Sequence, residues 1–440
     1  MSTQRLVAEA PEDRTPLSPT VVTPPVPVRR RVVTGAVIVA VGVLAVVGLG
    51  LGANPGTAVF GLSQAGDTVR IPALRLPGGT VAVVLGAVIV VLGLWQLVRG
   101  FSRRGLRWAV TAVILLFVVA FLCWAATGQP GTPIDLIGAL QLSIFAATPL
   151  ILGALAGIVC ERSGVINVAI EGQLLVGAFA GALFASVAHS DGVGIVGAAL
   201  AGALIGALLA VFAIRYLVNQ VVLGVVINLL VLGLTGYLYR SLMQQDAQTY
   251  NSPGTLAPIR IPGLADIPVV GPLLFDANIL VYAMYVLIVV IDVGLFRTRW
   301  GLRTRAVGEH PRAADTVGID VRRTRYRNVV LAGLVAGLGG AFLSIGAVGA
   351  FGANMSAGKG FIALAAVIFG RWSPRGAVAA ALLFGFTNEL QVLLTVVGTP
   401  VRIPSAFLAM LPYLVTLLAV AGLVGRVRAP AADGVPYAKE

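Results

Sequence analysis

The chain contains a succession of apolar segments with few or no charges, each roughly 20 residues long, which is the length a helix needs to cross the hydrocarbon core of a bilayer. Charged residues make up only 11% of the sequence, against about 25% in soluble domains. A transmembrane β-barrel needs instead ~10-residue segments of alternating polarity, and these segments do not alternate. The sequence therefore predicts an all-α polytopic membrane protein with about 10–12 transmembrane segments.

Two of the predicted segments do not resemble simple crossings. The segment 360–371 is too short to span a bilayer, and the stretch 160–177 (CERSGVINVAIEGQLLVG) carries polar side chains into the apolar zone. Both are bounded by glycine and lie in different halves of the chain, a pattern that indicates the binding pathway of a transporter. We therefore expect two pseudo-repeated halves with some broken or re-entrant segments; close packing through Gly and Ala is the alternative. The other predicted spans are 33–53, 79–98, 108–126, 137–159, 166–188, 194–213, 219–239, 277–296, 328–350, 376–396 and 405–425.

The distribution of basic residues predicts the orientation of the chain. Lysine and arginine accumulate in cytoplasmic loops, and with the N-terminus inside, 25 of the 31 basic residues lie on the inner side. We therefore expect a multi-pass protein of the plasma or inner membrane with both termini in the cytoplasm. The net charge of +13 then reflects these loops rather than binding of nucleic acid. The two cysteines and two histidines are too scattered to predict a metal site.

Polar side chains inside the predicted spans are candidates for the path of a polar solute. A charged side chain within a bilayer costs about 2.5–3.5 kcal/mol on insertion scales, so it indicates a function by default. Asp292 lies near the end of its span, where a structural pair with Arg297 or Arg299 accounts for it. Interhelical hydrogen bonding is the alternative role for the amides. The predicted pathway residues are Asn167, Glu171, Gln173, Asn228, Asn388 and Glu389.

The loop 297–327 carries nine arginines in an otherwise weakly charged chain. Pro311 suits the first turn of a helix and Gly318 suits the left-handed position just past its end, so a helix of about two turns is expected between them. A helix this short persists only when something packs on it, and we expect it to dock a cytoplasmic partner. A solvated loop is the alternative, which explains the arginines but not the bounded helix. The predicted apolar docking face consists of Ala313, Ala314 and Val317.

Four stretches resemble a known family of transport proteins. In chain order they are similar to the permeases of ATP-binding cassette (ABC) importers in the ribose/branched-chain amino acid translocator family. Within that family, the SGVIN…EGQ and GFIALAAVIFGRW portions most resemble permeases that are paired with basic-membrane-protein lipoproteins and import nucleosides. The stretches are ATPLILGALAGIVCERSGVINVAIEGQLLVGAFAGA at 147–182, NQVVLGVVINLLVLGLT at 219–235, LRTRAVGEHPRAADTVGIDVRRTRY at 302–326 and NMSAGKGFIALAAVIFGRWSPRGAVAAALLFGF at 354–386.

The resemblance implies a set of partners. A second permease subunit, a related chain or a second copy, would complete the pathway; a cytoplasmic ABC ATPase would bind ATP and Mg²⁺; and an extracytoplasmic lipoprotein would deliver a small polar solute. It implies no enzyme activity and no cofactor on this chain, and GANMSAGKG at 352–360 fails the spacing of a phosphate-binding P-loop. The residues implied to couple the loop to the ATPase are Gly308, Glu309, Pro311, Arg312, Ala313, Ala314, Val317 and Gly318.

The resemblance also divides the chain. Residues 131–426 form the predicted ABC permease domain, and residues 33–130 carry transmembrane helices beyond the shorter family members. Residues 1–32 and 427–440 are predicted cytoplasmic tails, the first one disordered. A permease for a simple sugar such as ribose and an ion-coupled secondary transporter are the alternative functions. A membrane-embedded enzyme is disfavoured, because the sequence shows no clustered acids or histidines of the kind that chemistry would need.

Overall fold

The computed structural model describes residues 28–52, 56–63, 70–127, 133–398, 403–410 and 428–438. Within these residues, ten helices are long and apolar enough to cross a membrane. The predicted all-α polytopic class is thereby confirmed. The predicted span 405–425 and the N-terminal tail lie largely outside the described residues.

The chain divides into two compact units, and the first consists of the described residues up to 52 together with Gly79–Leu122. It holds three apolar helices, at the positions of the first three predicted spans, and α1 continues as a π-helical stretch to Leu51. Their shared core is formed by Ile38, Ile89 and Val113. The three helices are α1 (Val28–Leu44), α2 (Gly78–Val98) and α3 (Arg103–Ala126).

The second unit contains the remaining described residues and is also mostly helical. Three of its helices, α6, α7 and α13, continue for five residues each as π-helical turns. Its helices are α4 (Leu136–Glu161), α5 (Ile170–Ala188), α6 (Asp191–Ala210), α7 (Gln220–Leu238), α8 (Ala247–Tyr250), α9 (Val270–Leu274), α10 (Ile279–Arg297), α11 (Arg299–Glu309), α12 (Pro311–Thr316), α13 (Val321–Ala341), α14 (Lys359–Phe369), α15 (Pro374–Val397) and α16 (Ser405–Ala409).

Polar side chains define where several of these helices begin. The first turn of a helix has amide groups without backbone partners, and an Asp, Asn or Thr just before it can accept their hydrogen bonds. Asp135 accepts from the Gly138 amide at 2.8 Å, and Asp320 accepts from the Arg323 amide at 2.9 Å. Asn219 likewise accepts from the amides of Val221 and Val222 and caps the start of α7. These residues therefore fix the ends of α4, α7 and α13.

Two small sheets also belong to the second unit. In the first, β1 pairs antiparallel with β2 and parallel with β3, where Phe60 lies opposite Ile134. In the second, β4 pairs antiparallel with β5. Through β3, the loop between α1 and α2 is fastened to the start of α4. The strands are β1 (Thr57–Gly61), β2 (Leu74–Pro77), β3 (Ile134–Asp135), β4 (Ile259–Arg260) and β5 (Asp276–Ala277).

The core of the second unit is built around α13, which packs against α4, α5 and α6. At Gly337 the backbones of α13 and α6 approach so closely that a Cβ atom would collide with the Ala198 carbonyl oxygen. Gly177 of α5 likewise lies against the Gly337 backbone. No hydrophobic effect drives helices together in lipid, so they associate largely through van der Waals packing. Small residues strengthen this packing because they let the backbones approach closely. The small residues of these three helices therefore set their spacing.

We expect Gly337→Ala to force α13 away from α6 and to lower the free energy of unfolding by about 1–3 kcal/mol, the usual cost of overpacking. Thermal unfolding of the purified protein in detergent measures the change. Gly233→Ala in α7 is the matched control, since a Cβ there would meet no described atom within 4 Å. Equal thermal midpoints for the two variants would contradict the packing role of Gly337.

Candidate functional site

Glu171, in the first turn of α5, caps the N-terminus of another helix. Its carboxylate accepts hydrogen bonds from the Ser356 hydroxyl at 2.6 Å, the Gly358 amide at 2.8 Å and the Gly360 amide at 2.7 Å. These groups open α14, whose first amides have no partners within the helix. A negative charge at this end is also favoured by the helix dipole. Glu171 therefore joins the two broken segments that the sequence singled out, 160–177 and 358–376.

The predicted pathway amides hold the non-helical stretch 162–169 in place. Asn167 donates to the Gln173 side chain at 3.0 Å. Asn228 of α7 accepts from the Gly172 amide at 2.8 Å and donates to the Val168 carbonyl at 2.9 Å. All three amide side chains are buried. The hydrogen-bonding role that the sequence left as an alternative is therefore the one these contacts display.

The C-terminal end of α14 is held by the same region of the chain. Arg162, directly after α4, donates from Nε to the Trp372 carbonyl at 2.9 Å. The indole N–H of Trp372 donates in turn to the buried carboxylate of Glu161. Arg371 and Trp372 both have positive φ values, 55° and 52°, a conformation that non-glycine residues adopt only when their surroundings impose it. Both ends of α14 are thus fixed to residues that flank the break between α4 and α5.

Asn388 and Glu389 on α15 differ from the other predicted pathway residues. Asn388 is exposed and Glu389 is half-buried. Within the described residues, no hydrogen bond or ion pair involves either side chain or links them to the Glu171 network. The six predicted pathway residues therefore form two groups. Four make hydrogen bonds within the chain, and the side chains of the other two make none among the described residues.

The partner predicted for Asp292 was wrong. Its carboxylate accepts from Arg375, at 2.8 Å to Nη2 and 3.0 Å to Nε. Arg375 lies in the first turn of α15, so the pair joins α10 to α15, whereas the predicted partners follow Asp292 closely in sequence. The predicted structural role of Asp292 agrees with this contact. Only the fold could bring a residue 83 positions away into range.

The arginine-rich loop contains the predicted short helix, α12. The helix begins at Pro311, and Gly318 follows it with a φ of 80°. The amide of Ile319 returns to the Ala314 carbonyl at 3.0 Å, which closes the last turn. α11 precedes it and α13 follows it, so the loop consists largely of helix.

The predicted apolar face of α12 is divided between two sides of the helix, contrary to expectation. Ala314 is buried in a small cluster with Val307, Val321 and Tyr437. Val317 is 74% exposed, and Ala313 is exposed as well. Ala314 faces inward because α12 packs on its own chain, including a C-terminal residue that the sequence pattern did not link to the loop. The predicted coupling residues that are exposed are Glu309, Arg312, Ala313, Val317 and Gly318.

Two further predicted coupling residues make contacts within the chain. A Cβ atom at Gly308 would collide with the Arg162 carbonyl, so α11 lies directly against the end of α4. The Glu309 carboxylate accepts from the Ala431 amide at 3.2 Å. The loop is therefore connected to the same residues that hold α14. Sequence reasoning missed two residues of this arrangement: Arg325, which is buried and bonds the Ser163 carbonyl, and Tyr437, which packs on Ala314. In the sequence, Arg325 is one of the nine arginines of the loop, and Tyr437 is the lone aromatic residue of the predicted C-terminal tail.

These features define a multi-pass helical transport protein, with tethered broken segments in its interior and a short exposed loop helix. The chain belongs to the family of permease components of branched-chain amino acid transport systems, whose model matches residues 139–420. As a permease component it is a transport subunit and not an enzyme, and its family implies an ATPase and a substrate-binding component as partners. Residues before 139 lie outside the match.

Three curated relatives illustrate the family. The guanosine ABC transporter permease protein NupQ of Bacillus subtilis is 42% identical over 67% of this chain and 94% of its own length. The nucleoside ABC transporter permease protein NupC of Lactococcus lactis is 37% identical over the same shares. The putative glucose ABC transporter permease protein TsgC13 of Haloferax volcanii is 34% identical over 58% of this chain and 77% of its own. The chain matches no solved structure.

We expect Glu171→Gln to destabilise the protein, because the amide group replaces one carboxylate oxygen with a donor facing other donors. A buried group left without its partner costs about 1–3 kcal/mol, which appears as a lower thermal midpoint. Glu389→Gln is the matched control and should leave the midpoint unchanged, since no described contact to its carboxylate is lost. Equal stability of the two variants would show that Glu171 does not cap α14.

Proposed function

We propose that this chain is the transmembrane permease subunit of an ABC importer for nucleosides. The observation that carries the proposal is the pair of relatives named as guanosine and nucleoside permeases, which match at 42% and 37% identity over 94% of their own lengths. The family model matches residues 139–420, which contain most of α4 and the helices from α5 to α15. A polar, uncharged solute also fits a chain whose spans contain amides and few charges.

The proposed orientation places both termini and the arginine-rich loop in the cytoplasm. The excess of basic residues on that side supports it. Contacts within the second unit support it as well, because Arg162, Gly308, Arg325 and Trp372, all near segments assigned to the inner side, lie together at one end. The extracytoplasmic side would then hold the loop that carries β4 and β5, where a substrate-binding lipoprotein would deliver its solute.

In the proposed mechanism, the ATPase supplies the energy and this chain supplies the path. ATP and Mg²⁺ would be bound by the ATPase chain, which would contact α12 through its exposed residues. Movement of α12 would reach the break between α4 and α5 through α11, because Gly308 lies directly against Arg162. Arg162 also bonds the turn after α14, so α14 would follow. A second permease subunit, a copy or a related chain, would form the other wall of the path.

Within this path, Asn388 and Glu389 are the proposed contacts for the solute. Their side chains have no hydrogen-bond partner among the described residues, whereas the Glu171 group is already engaged. Hydroxyl and amide groups of a nucleoside could bond both of them. Glu171, Asn167, Gln173 and Asn228 would act indirectly, by fixing the broken segments that flank the path.

A simple sugar is the second candidate solute. The relative named as a putative glucose permease favours it, and a sugar offers hydroxyl groups similar to those of a ribose ring. Its match covers less of both chains than the nucleoside relatives do, so nucleosides are the preferred class. An ion-coupled transporter would need to work without an ATPase, which no feature of the described residues supports.

We expect proteoliposomes containing this chain with its ATPase, partner permease and lipoprotein to take up labelled guanosine only when ATP is supplied. Unlabelled nucleosides should compete with the uptake, whereas excess ribose or glucose should not, because neither sugar carries the base. Proteoliposomes with this chain alone and an ion gradient serve as the control. Competition by sugars only, or uptake by the lone chain, would refute the proposed function.

We expect Val317→Arg to weaken binding of the ATPase, because it places a long charged side chain on the exposed side of α12. Co-purification of the ATPase with the detergent-solubilised permease measures the effect. Val348→Arg, at an exposed position after α13 on the proposed outer side, is the matched control and should not change binding. If the ATPase binds the Val317 variant as strongly as the wild type, α12 is not its docking helix. Ala314 is unsuitable for this test, since an arginine there would disrupt the packing of the loop itself.

A further inference from the structure

The C-terminal segment, residues 428–438, packs against the buried face of α12. Tyr437 is buried at 8% exposure, in the same cluster as Ala314, Val307 and Val321. This cluster therefore takes one side chain each from α11, α12, the start of α13 and the C-terminal segment. An aromatic ring supplies much of the apolar area that a helix of six residues cannot bury by itself.

Hydrogen bonds donated by its backbone amides attach the same segment to the end of α11. The Ala432 amide donates to the Gly308 carbonyl at 2.9 Å, and the Ala431 amide donates to the Glu309 carboxylate at 3.2 Å. Gly308 and Glu309 directly precede α12 across a single residue, His310. The C-terminal segment thus holds both the entry to α12 and its buried face.

Arg325 connects this segment to the break between α4 and α5. Its side chain is only 2% exposed. It donates from Nε to the Ser163 carbonyl at 3.1 Å and from Nη1 to the Val435 carbonyl at 3.0 Å. A buried guanidinium requires such fixed acceptors, because losing one leaves a charged donor unpaired. The C-terminal segment is therefore bonded to the stretch that the Asn167 and Asn228 side chains hold in place.

Asp433 makes the attachment sensitive to protons. Desolvation raises the pKa of its carboxyl group to about 7, against the opposing effects of Arg325 and of the Gly434 amide. Glu161 and Cys160 at the end of α4 interact electrostatically with it. Since the packed state raises this pKa, packing favours the protonated acid. The contribution of the Asp433 carboxyl group to the stability of the packed segment is complete below the ordinary pKa of an aspartate and is lost as the pH rises through about 7.

We propose that the C-terminal segment is a brace that fixes α12 to the break between α4 and α5, and that Tyr437 and Arg325 are its positioning residues. This inference rests on the proposed function, in which α12 receives the movement of the ATPase. Without the brace, α12 keeps its exposed residues and still binds the ATPase. Its movement is then absorbed by the loosened loop instead of reaching Ser163 and α14. The brace thus determines how much solute is imported for each ATP hydrolysed.

The test measures the ratio of imported solute to hydrolysed ATP in proteoliposomes. Tyr437→Ala should lower this ratio about fivefold or more, a coupling change of the usual size, while ATPase co-purification stays near the wild type. Tyr437→Phe should restore the ratio, because its ring still fills the cluster. Ala438→Ser, at an exposed neighbouring position, is the control. Deletion of 428–440 should reproduce the Tyr437→Ala effect.

Two outcomes would overturn the brace. One is an unchanged ratio in both the Tyr437→Ala and the deletion variants. The other is loss of ATPase binding in parallel with the ratio, which would make the segment a direct contact surface for the ATPase. A wild-type complex that imports a sugar would refute the proposed substrate alone, since the ratio can be measured with that sugar.

Discussion

A helix that begins inside a membrane protein leaves amide groups that no water can satisfy, and the capping of α14 by Glu171 meets this requirement. The carboxylate comes from α5, so one set of hydrogen bonds both completes the short helix and joins the two broken segments of the second unit. At the other end of α14, Trp372 is bonded to Glu161 and Arg162. The charges that are costly in a bilayer are thus used to hold irregular backbone in place.

The same broken stretch receives the contacts of the arginine-rich loop. Gly308 lies against Arg162, and Arg325 bonds the Ser163 carbonyl, so the end of α11 and the start of α13 both contact residues next to the break. The C-terminal segment is bonded to both helices, through the Gly308 carbonyl of α11 and the Arg325 side chain of α13. The described contacts are therefore continuous from α12 to α14, and this continuity is what the proposed transmission of movement requires. A continuous chain of contacts does not by itself demonstrate energetic coupling between two sites. The positioning role of Tyr437 is therefore tested by the ratio of imported solute to hydrolysed ATP.

The individual site residues show how far a sequence pattern reaches. It identified Glu171 and the neighbouring amides as unusual, because polar groups in apolar segments need a reason, but it could not choose between solute and protein as their partner. It identified the short helix after Pro311, because proline and glycine mark helix ends locally. It misplaced Ala314, since which side of α12 is buried depends on Tyr437, more than a hundred residues later. It also chose the wrong partner for Asp292, because Arg375 is distant in sequence and comes close only in the fold.

The sequence by itself determined the fold class, the approximate positions of the described membrane helices, the short segment at α14 and the family. Apolar length, helix-end residues and motif wording are local properties, and they are readable without knowing which segments touch. The tertiary structure alone decided that Glu171 caps α14, that Arg325 bonds both Ser163 and Val435, and that the C-terminal segment packs beneath α12. Hydrogen-bond partners for buried polar groups are chosen by geometry across distant parts of the chain, and that geometry exists only once the helices have packed.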